Sequence, residues 1–391
     1  MRLGHFSNLS LFDIMERMDK YMKERIKICF FLGGLKGGGI GRVTSILVNE
    51  MIKNTEYELY VLCYSRIEKE DYVIDSRIHK SYFLEENISM TKAMLKGAVP
   101  KLKKYLQDND IDILVSCGVL LSVLSISSCK GIKTKCINWE HSSMFNGNKD
   151  FKLQTIARRY AAKKSDLNIV LTDKTETAYI QKYRISYDKV KRIYNPVDPL
   201  AYRSKEYNTA SNIIISVGRL SYQKKFEDVI KAASDVLDEH SNWIWHIYGE
   251  GEEKESLQNM IDASNLRNKV ILKGRVPNIY DLYSQYAFIV MTSRYEGFPM
   301  TLLEAAGNRL PMISYDIETG PSEIIDDKRN GYLVEADNMT ELVERVQNLM
   351  NDESLRKKMS QASYQTSLKF KLEGIVKEWE TVFQMMLAKI S

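Results

Sequence analysis

The stretch SRYEGFPMTLLEAAG, Ser293 to Gly307, sets two carboxylates, Glu296 and Glu304, eight positions apart. In one continuous helix that spacing would put both near one face. Pro299 speaks against it, because proline disturbs a helix interior but fits its first turn. Glu296 therefore reads as a loop residue and Glu304 as part of the helix that follows. Such a helix start offers open backbone N–H groups, at Met300, Thr301 and Leu302, which suit a phosphate. The plainer alternative is a capping acid followed by a half-buried helix acid.

Outward from this stretch the chain has a regular rhythm. FIVMTS runs into it as an apolar strand, and LPMISYD follows as another. Upstream, NIIISVGR, a helix over Lys225–Leu237, WIWHIYGEG and KVILKGRV belong to the same series. The first half has its own series: KICFFLGG, VTSILVNEM, ELYVLCYS, DILVSCG and SDLNIVLT. Short apolar strands alternating with helices imply parallel sheets built from βαβ units. A chain of 391 residues is also long for one core. The fold class expected is α/β, with two doubly wound domains. The junction falls at IYNPVDP, Ile193 to Pro199, where two prolines interrupt both periods. That gives a first domain over 1–195, a second over 196–371, and an amphipathic closing helix over 372–391. Residues 1–25 read as an extension with helical apolar spacing at Leu11, Ile14, Met15, Met18 and Met22. Met22 also looks like a natural start, which would make that segment dispensable.

Composition excludes several classes. Residues 1–25 are too charged for a secretory apolar segment. Five cysteines form no CxxC pair and fall mostly in apolar runs, which suits reduced thiols in the cytoplasm. The uncharged run Ile113–Cys129 is short for a membrane span and carries five serines, so a strand, a turn at Gly118 and a helix describe it better. Net charge is uneven. Residues 1–195 hold 33 Lys and Arg against 22 Asp and Glu, a net +11; the remainder holds 23 against 29, a net −6. Such asymmetry often marks an anionic partner for the basic half.

Two further motifs follow strands, where doubly wound folds bind ligands. GGLKGGGIGR, Gly33 to Arg42, opens a helix through a glycine turn, but neither phosphate-binding nor dinucleotide fingerprint fits. No Gly-Lys-Ser/Thr is present, and Arg42 stands where the dinucleotide pattern needs glycine. VGRLSYQKK, Val217 to Lys225, sets Arg219 and Lys224 at a strand end, a pair suited to a diphosphate. With these cations, one acid can grip a ribose and the other a second sugar.

The motif E-G-F-P-x-T-L-L-E-A resembles the donor-site signature of family 4 retaining glycosyltransferases, which have the two-Rossmann GT-B fold. It is flanked by Ser293, by Gly320-Pro321-Ser322-Glu323 and by Asn330-Gly331-Tyr332. V-G-R-L…K, the YGEGEEKESL turn and the glycine-rich opening match too, so the resemblance covers roughly residues 26–385. It implies that Gly218, Arg219 and Lys224 hold the donor diphosphate, and that Glu304 binds the ribose. Glu296 would contact the donor sugar. Gly297, Phe298, Pro299, Met300, Thr301 and Leu302 would complete the donor pocket. Gly37, Gly38 and Gly39 would let the first domain close over the phosphates, and Gly274, Arg275 and Val276 would lie near the base. His141, in INWEHSS, resembles the family's active-site histidine. His141, Arg219, Lys224 and Glu296 are thus the candidate catalytic residues. The resemblance also implies that the last helix returns to pack on the first domain.

Two departures stand out. Lys225 replaces the small residue usual after the lysine, and Glu140 directly precedes His141. No D-x-D motif marks a metal-bound diphosphate, so no metal and no cofactor are expected, and cations Arg219 and Lys224 take that charge. The expected reaction moves a sugar, with retention, from a nucleotide diphosphate donor, a UDP-sugar foremost, to a hydroxyl of a glycan acceptor. The rivals are another GT-B enzyme, such as an epimerase, and a non-catalytic nucleotide-sugar-binding partner of a glycan assembly complex. No nucleic acid is expected. Met94–Leu106 and Ile156–Lys164 are basic and partly amphipathic, as a face meeting anionic lipid would be. The expectation is a cytoplasmic enzyme of bacterial surface-polysaccharide synthesis, seated on the inner face of the membrane and using a lipid-linked acceptor.

Overall fold

The computed structural model describes residues 25–66, 72–145, 152–202, 206–238, 240–276 and 278–388. The helical spacing read over residues 11–22 lies outside the described residues. The strands are β1 (Ile26–Leu32), β2 (Tyr57–Ser65), β3 (His79–Leu84), β4 (Ile113–Cys117), β5 (Lys135–Trp139), β6 (Leu167–Val170) and β7 (Val190–Arg192). They continue as β8 (Ile213–Val217), β9 (Ile244–Tyr248), β10 (Val270–Gly274), β11 (Phe288–Met291), β12 (Met312–Asp316) and β13 (Gly331–Glu335). Between them in the first half lie α1 (Gly38–Met51), α2 (Met90–Leu95), α3 (Ala98–Asp108), α4 (Val119–Cys129), α5 (Lys152–Lys164) and α6 (Asp173–Tyr183). The second half holds α7 (Phe226–Leu237), α8 (Lys254–Ala263), α9 (Tyr280–Tyr283), α10 (Met300–Gly307), α11 (Pro321–Ile324), α12 (Met339–Asn351), α13 (Glu353–Ser367) and α14 (Leu372–Ala388).

Strands β1–β7 make one sheet in the order β3-β2-β1-β4-β5-β6-β7, and β8–β13 a second in the order β10-β9-β8-β11-β12-β13. Neighbouring strands pair in parallel throughout, with Ile28 opposite both Leu59 and Ile113, for example. Helices cover both faces, so the central strands read as unbroken apolar runs. In each sheet the chain first builds outward to one edge and then reverses, between β1 and β4 and between β8 and β11. Ligands bind at such reversals, beyond the carboxyl ends of the strands. The glycine turn follows β1; the basic pair follows β8, and the opening stretch follows β11. Three of the four reversal strands therefore carry a motif.

The two domains share one continuous apolar cluster. Helix α14 supplies much of it from the first-domain side: Trp379 packs on Trp139 with ring centres 5.0 Å apart, and Phe383 on Tyr57 at 6.0 Å. Full burial of such a side chain contributes about 1.5–3 kcal/mol. The run Ile113–Cys129 divides into β4 and α4 at Gly118, whose φ of 112° suits only glycine. Among the described residues no helix is long and apolar enough to cross a membrane. All five cysteines are buried and unbridged.

Candidate functional site

The loops after β8, β9 and β11 are packed together by glycine. A Cβ on Gly249 would stand 1.8 Å from the Gly218 carbonyl oxygen, and one on Gly218 would meet the Lys224 stem at 2.9 Å. Only with both glycines can the backbone after β8 stay low and Lys224 fold across it. Lys224 Nζ then donates to Glu296 Oε1 at 2.6 Å, and Gln223 Nε2 donates to Oε2 at 3.3 Å. Arg219, in the same loop, is exposed. Lys225 adopts a left-handed φ of 52°, which a β-carbon tolerates poorly. Its ammonium offsets that cost by binding Asp228 at 2.6 Å and Asp337. The departure from a small residue thus leaves the Lys224 geometry intact.

Glu296 lies in the loop and Glu304 within α10, on either side of Pro299. Helix α10 starts without a side-chain cap, with Pro299 at the N-cap. The expectation of three open N–H groups needs correcting to two, because Leu302 N–H donates to the Pro299 carbonyl at 3.1 Å. Met300 and Thr301 occupy the first two positions of the helix, and the Leu302 side chain is fully buried. The Phe298 side chain is buried. It stacks on Tyr194 at 5.2 Å and packs on Phe370 at 5.7 Å, holding the crossover between domains. Gly320, at φ 106°, lies so close to Pro299 that a Cβ would meet its ring at 2.5 Å. Gly274, Arg275 and Val276 sit at the carboxyl end of β10; Gly274 has a φ of 69°, Arg275 is exposed, and Val276 packs against the core.

Glu304 has a partner the sequence reading missed. Arg42, from α1 of the first domain, donates from Nη1 to Glu304 Oε1 at 3.0 Å. Its Nε faces Asp198 at 3.6 Å, and its guanidinium lies 4.5 Å from the centre of the Tyr280 ring. Tyr283 donates to the other Glu304 oxygen at 3.2 Å. Burial lifts the Glu304 carboxyl above its ordinary range, while Arg42 and Tyr283 pull it back. Burial works against the Arg42 charge too, but Glu304, Tyr280 and Asp198 more than offset it, so the guanidinium stays charged.

The first domain supplies the facing wall. Gly37 and Gly38 take φ of 58° and 71°, and Gly39 lies where a Cβ would be 3.7 Å from Met300 Cγ. The glycine turn therefore rests against the start of α10. His141 does likewise against the preceding loop: a Cβ on Gly297 would fall 2.0 Å from the His141 carbonyl oxygen. Behind it Glu140 is buried, bonded by Arg158 Nε at 2.7 Å, Tyr179 at 3.0 Å and Ser142 N–H at 3.0 Å. Glu140 is thus an anchor for the His141 loop, not a member of the cleft. The His141 ring lies 4.2 Å from Trp139, and its Nε2 is sealed from water without a protein partner, although the residue as a whole is only partly buried. Burial pushes its pKa down to about 3, so the ring is neutral at physiological pH.

The cleft thus brings together Gly37–Gly39 and His141 from one side with Lys224, Glu296, Met300 and Glu304 from the other. The model for glycosyl transferases group 1 matches residues 201–366, and that for glycosyltransferase family 4 matches residues 37–199. The amylovoran biosynthesis glycosyltransferase AmsD of Erwinia amylovora is 28% identical over 372 residues, covering 91% of this chain and 99% of that protein. A Campylobacter jejuni enzyme, named as an alpha-1,4-N-acetyl-D-galactosaminyltransferase acting on a PP-undecaprenol glycan, is 25% identical over 362 residues, covering 90% of this chain and 97% of that one. Among solved structures, a mutant of S. aureus TarM, in complex with fondaparinux, alpha-GlcNAc-glycerol and UDP, aligns with a TM-score of 0.78 at 17% identity over 92% of this chain and 99% of that chain. The two family matches run almost end to end through both domains, on the same two-sheet frame, and the chain belongs to the family 4 glycosyltransferases of GT-B fold.

Proposed function

We propose that the enzyme transfers a sugar, with retention, from a uridine diphosphate sugar to a hydroxyl of a lipid-linked glycan in bacterial surface-polysaccharide synthesis. The observation that carries this reading is the convergence at the start of α10. Two carboxylates, the Lys224 ammonium and an uncapped helix start meet there at two facing chain reversals. Relatives named for amylovoran biosynthesis and for a PP-undecaprenol glycan, and a like-folded structure containing UDP, support the choice of donor and acceptor class.

In this reading Arg219 and Lys224 bind the diphosphate, with the Met300 and Thr301 N–H groups at the helix start adding to the field. Glu304 accepts from a ribose hydroxyl and Glu296 from a hydroxyl of the transferred sugar. His141, its ring neutral, forms the first-domain wall beside that sugar. Retaining glycosidases use two carboxylates about 5 Å apart, one as nucleophile. Here each acid is already committed to a cation, so a same-face substitution fits better. The anomeric carbon–phosphate oxygen bond breaks, the acceptor oxygen–carbon bond forms, and the acceptor proton passes to the departing diphosphate.

The test is a screen of nucleotide sugars by thermal protection, followed by NMR of the product. A ligand at a hundred times its Kd should stabilise the fold by about 2.7 kcal/mol. A matching donor should protect, and transfer should give the anomer of the donor. An inverted product would overturn retention, and protection by no uridine nucleotide would overturn the donor.

A further inference from the structure

The helices on one face of the first sheet leave apolar side chains uncovered. Helices α2, α3, α4 and α5 share a core beneath them, built from Ala93, Leu102, Leu124, Ala157 and Ala161 among others. On their outer side Leu95 is 85% exposed, Leu120 43%, Leu153 72% and Ile156 66%. Three of these four stand at or near the starts of α4 and α5. Helix α4 begins just past the carboxyl end of β4, and α5 runs back from that same edge, the one His141 occupies, to feed β6. The uncovered apolar groups thus gather on the cleft side of the layer.

Charge accompanies them. Helix α5 has the sequence KLQTIARRYAAKK, with no acid. Its buried face is Ala157, Arg158, Ala161 and Ala162; Lys152, Arg159, Lys163 and Lys164 are exposed around Leu153, Ile156 and Tyr160. Arg158 points inward to Glu140, so the helix grips the His141 loop with one face while Leu153, Ile156, Arg159 and Lys163 are exposed on the other. Helix α2 adds exposed Lys92 beside its own apolar residue, with Lys96 just after it. The lysines of α3 are a poorer candidate than the sequence suggested. Lys104 is neutralised by Asp108 at 2.9 Å, Lys103 donates to the Lys130 carbonyl at 2.8 Å, and Lys101 lies over the Phe83 ring at 5.1 Å.

We infer that the outer face of α5, with Leu120 on the neighbouring α4, seats the enzyme on an anionic lipid bilayer. An apolar stripe flanked by cations is the pattern of a helix lying in the plane of the headgroups. Basic charge selects an anionic leaflet, and the apolar side chains enter its boundary. The seat would hold the cleft mouth and His141 at the surface from which a lipid-carried acceptor arrives. That purpose rests on the function proposed above. The seat itself is measured without donor or acceptor, so either idea can fail alone.

The experiment is co-sedimentation of the full chain with phosphatidylglycerol-containing and pure phosphatidylcholine vesicles across a salt series. Each cation near an anionic surface is worth roughly fivefold in affinity, fading within a Debye length of about 10 Å at 0.1 M salt. Arg159→Gln with Lys163→Gln should therefore weaken binding about twentyfold to thirtyfold at low salt. Leu153→Ser with Ile156→Ser should weaken it about tenfold or more at every salt concentration. Lys103→Gln with Lys104→Gln should change it little. Unaltered melting temperatures and circular dichroism spectra would show that the variants are folded. Wild-type binding that ignores lipid charge, or no binding at all, would overturn the seat. So would full binding by either α5 variant, or loss in the α3 variant instead.

Discussion

Glu296 and Glu304 belong to one motif, and each is bonded to one cation, yet the two pairs are built differently. The partner of Glu296 is Lys224, from the same domain, with 15% of its side chain exposed. Lysine is a point charge on a flexible stem, so a diphosphate can draw it away without dismantling the wall. The partner of Glu304 is Arg42, from the other domain; their side chains are 21% and 3% exposed, against 15% and 9% for Lys224 and Glu296, so the pairs differ in which domains they join more than in burial. There a planar guanidinium is fixed by two carboxylates and a tyrosine face. Without Lys224, Glu296 keeps the Gln223 amide; without Arg42, Glu304 keeps only the Tyr283 hydroxyl and a tie between the domains is lost, so the stranded charge costs more there. The first pair is arranged for exchange with a ligand, and the second for holding the domains together around it.

Removing each cation should expose that difference. Lys224→Ala should cut transfer by about a hundredfold to a thousandfold, as loss of a preorganised charge does, while destabilising the fold less than Arg42→Ala, because Gln223 still donates to Glu296. Arg42→Ala should reverse the emphasis. It leaves Glu304 buried without its cation and should destabilise the fold by about 2–3 kcal/mol, less than the 3–5 typical of a sealed pair because Arg42 is partly exposed. Urea unfolding and steady-state kinetics on both variants read the two effects. Matching profiles would erase the distinction, and normal turnover in Lys224→Ala would remove that lysine from the phosphate site.

A finer cut separates the acids themselves. Glu304→Gln should weaken uridine diphosphate, because the ribose belongs to both nucleotide and donor. Glu296→Gln should spare the nucleotide and weaken only the intact sugar donor. Each loss should be about 1.5–3 kcal/mol, the range for a hydrogen bond to a charged group. Calorimetric titration of each variant with both ligands decides it. Equal losses for both ligands in both variants would refute the division of labour.

The alternation of strands and helices, and the placement of motifs after strands, were legible because periodicity and turn chemistry are local. Pro299 alone separates loop Glu296 from helical Glu304, and the structure has that division. What sequence could not reveal was pairing across distance. Arg42 registered only as the residue that breaks a glycine fingerprint, and its partner lies 262 positions away. Asp198, Tyr280 and Tyr283 carry no motif at all, since their role exists only once two domains meet. Phe298 and Leu302 lie inside the motif whose resemblance implies a donor pocket. Their side chains bear on Tyr194 and the core, a packing role that the motif alone does not reveal. The two glycines with the closest contacts near the acids have a comparable origin. Gly297 has the His141 backbone against it and Gly320 has Pro299, and neither neighbour is near in sequence.

The smallest expected effect concerns the facing wall. Burial holds His141 at about 3, below its ordinary value of about 6.5, so between these values the folded protein binds fewer protons here than the unfolded chain. The stability this neutral ring contributes is fully present above about pH 6.5 and is lost as pH falls toward 3. From one group the slope cannot exceed about 1.4 kcal/mol per pH unit. His141→Asn, which cannot take up a proton, should therefore lose less stability than wild type between pH 7 and pH 4.5 in urea unfolding. Above pH 7 the two proteins should run parallel, separated only by a constant packing difference. The carboxylate pairs supply a contrast: they are common to both proteins and cancel in the comparison. Parallel curves throughout the acid range would mean that the His141 ring reaches water and protonates freely. The wall would then be open at His141, and only the glycine turn and Arg42 would close the first-domain side.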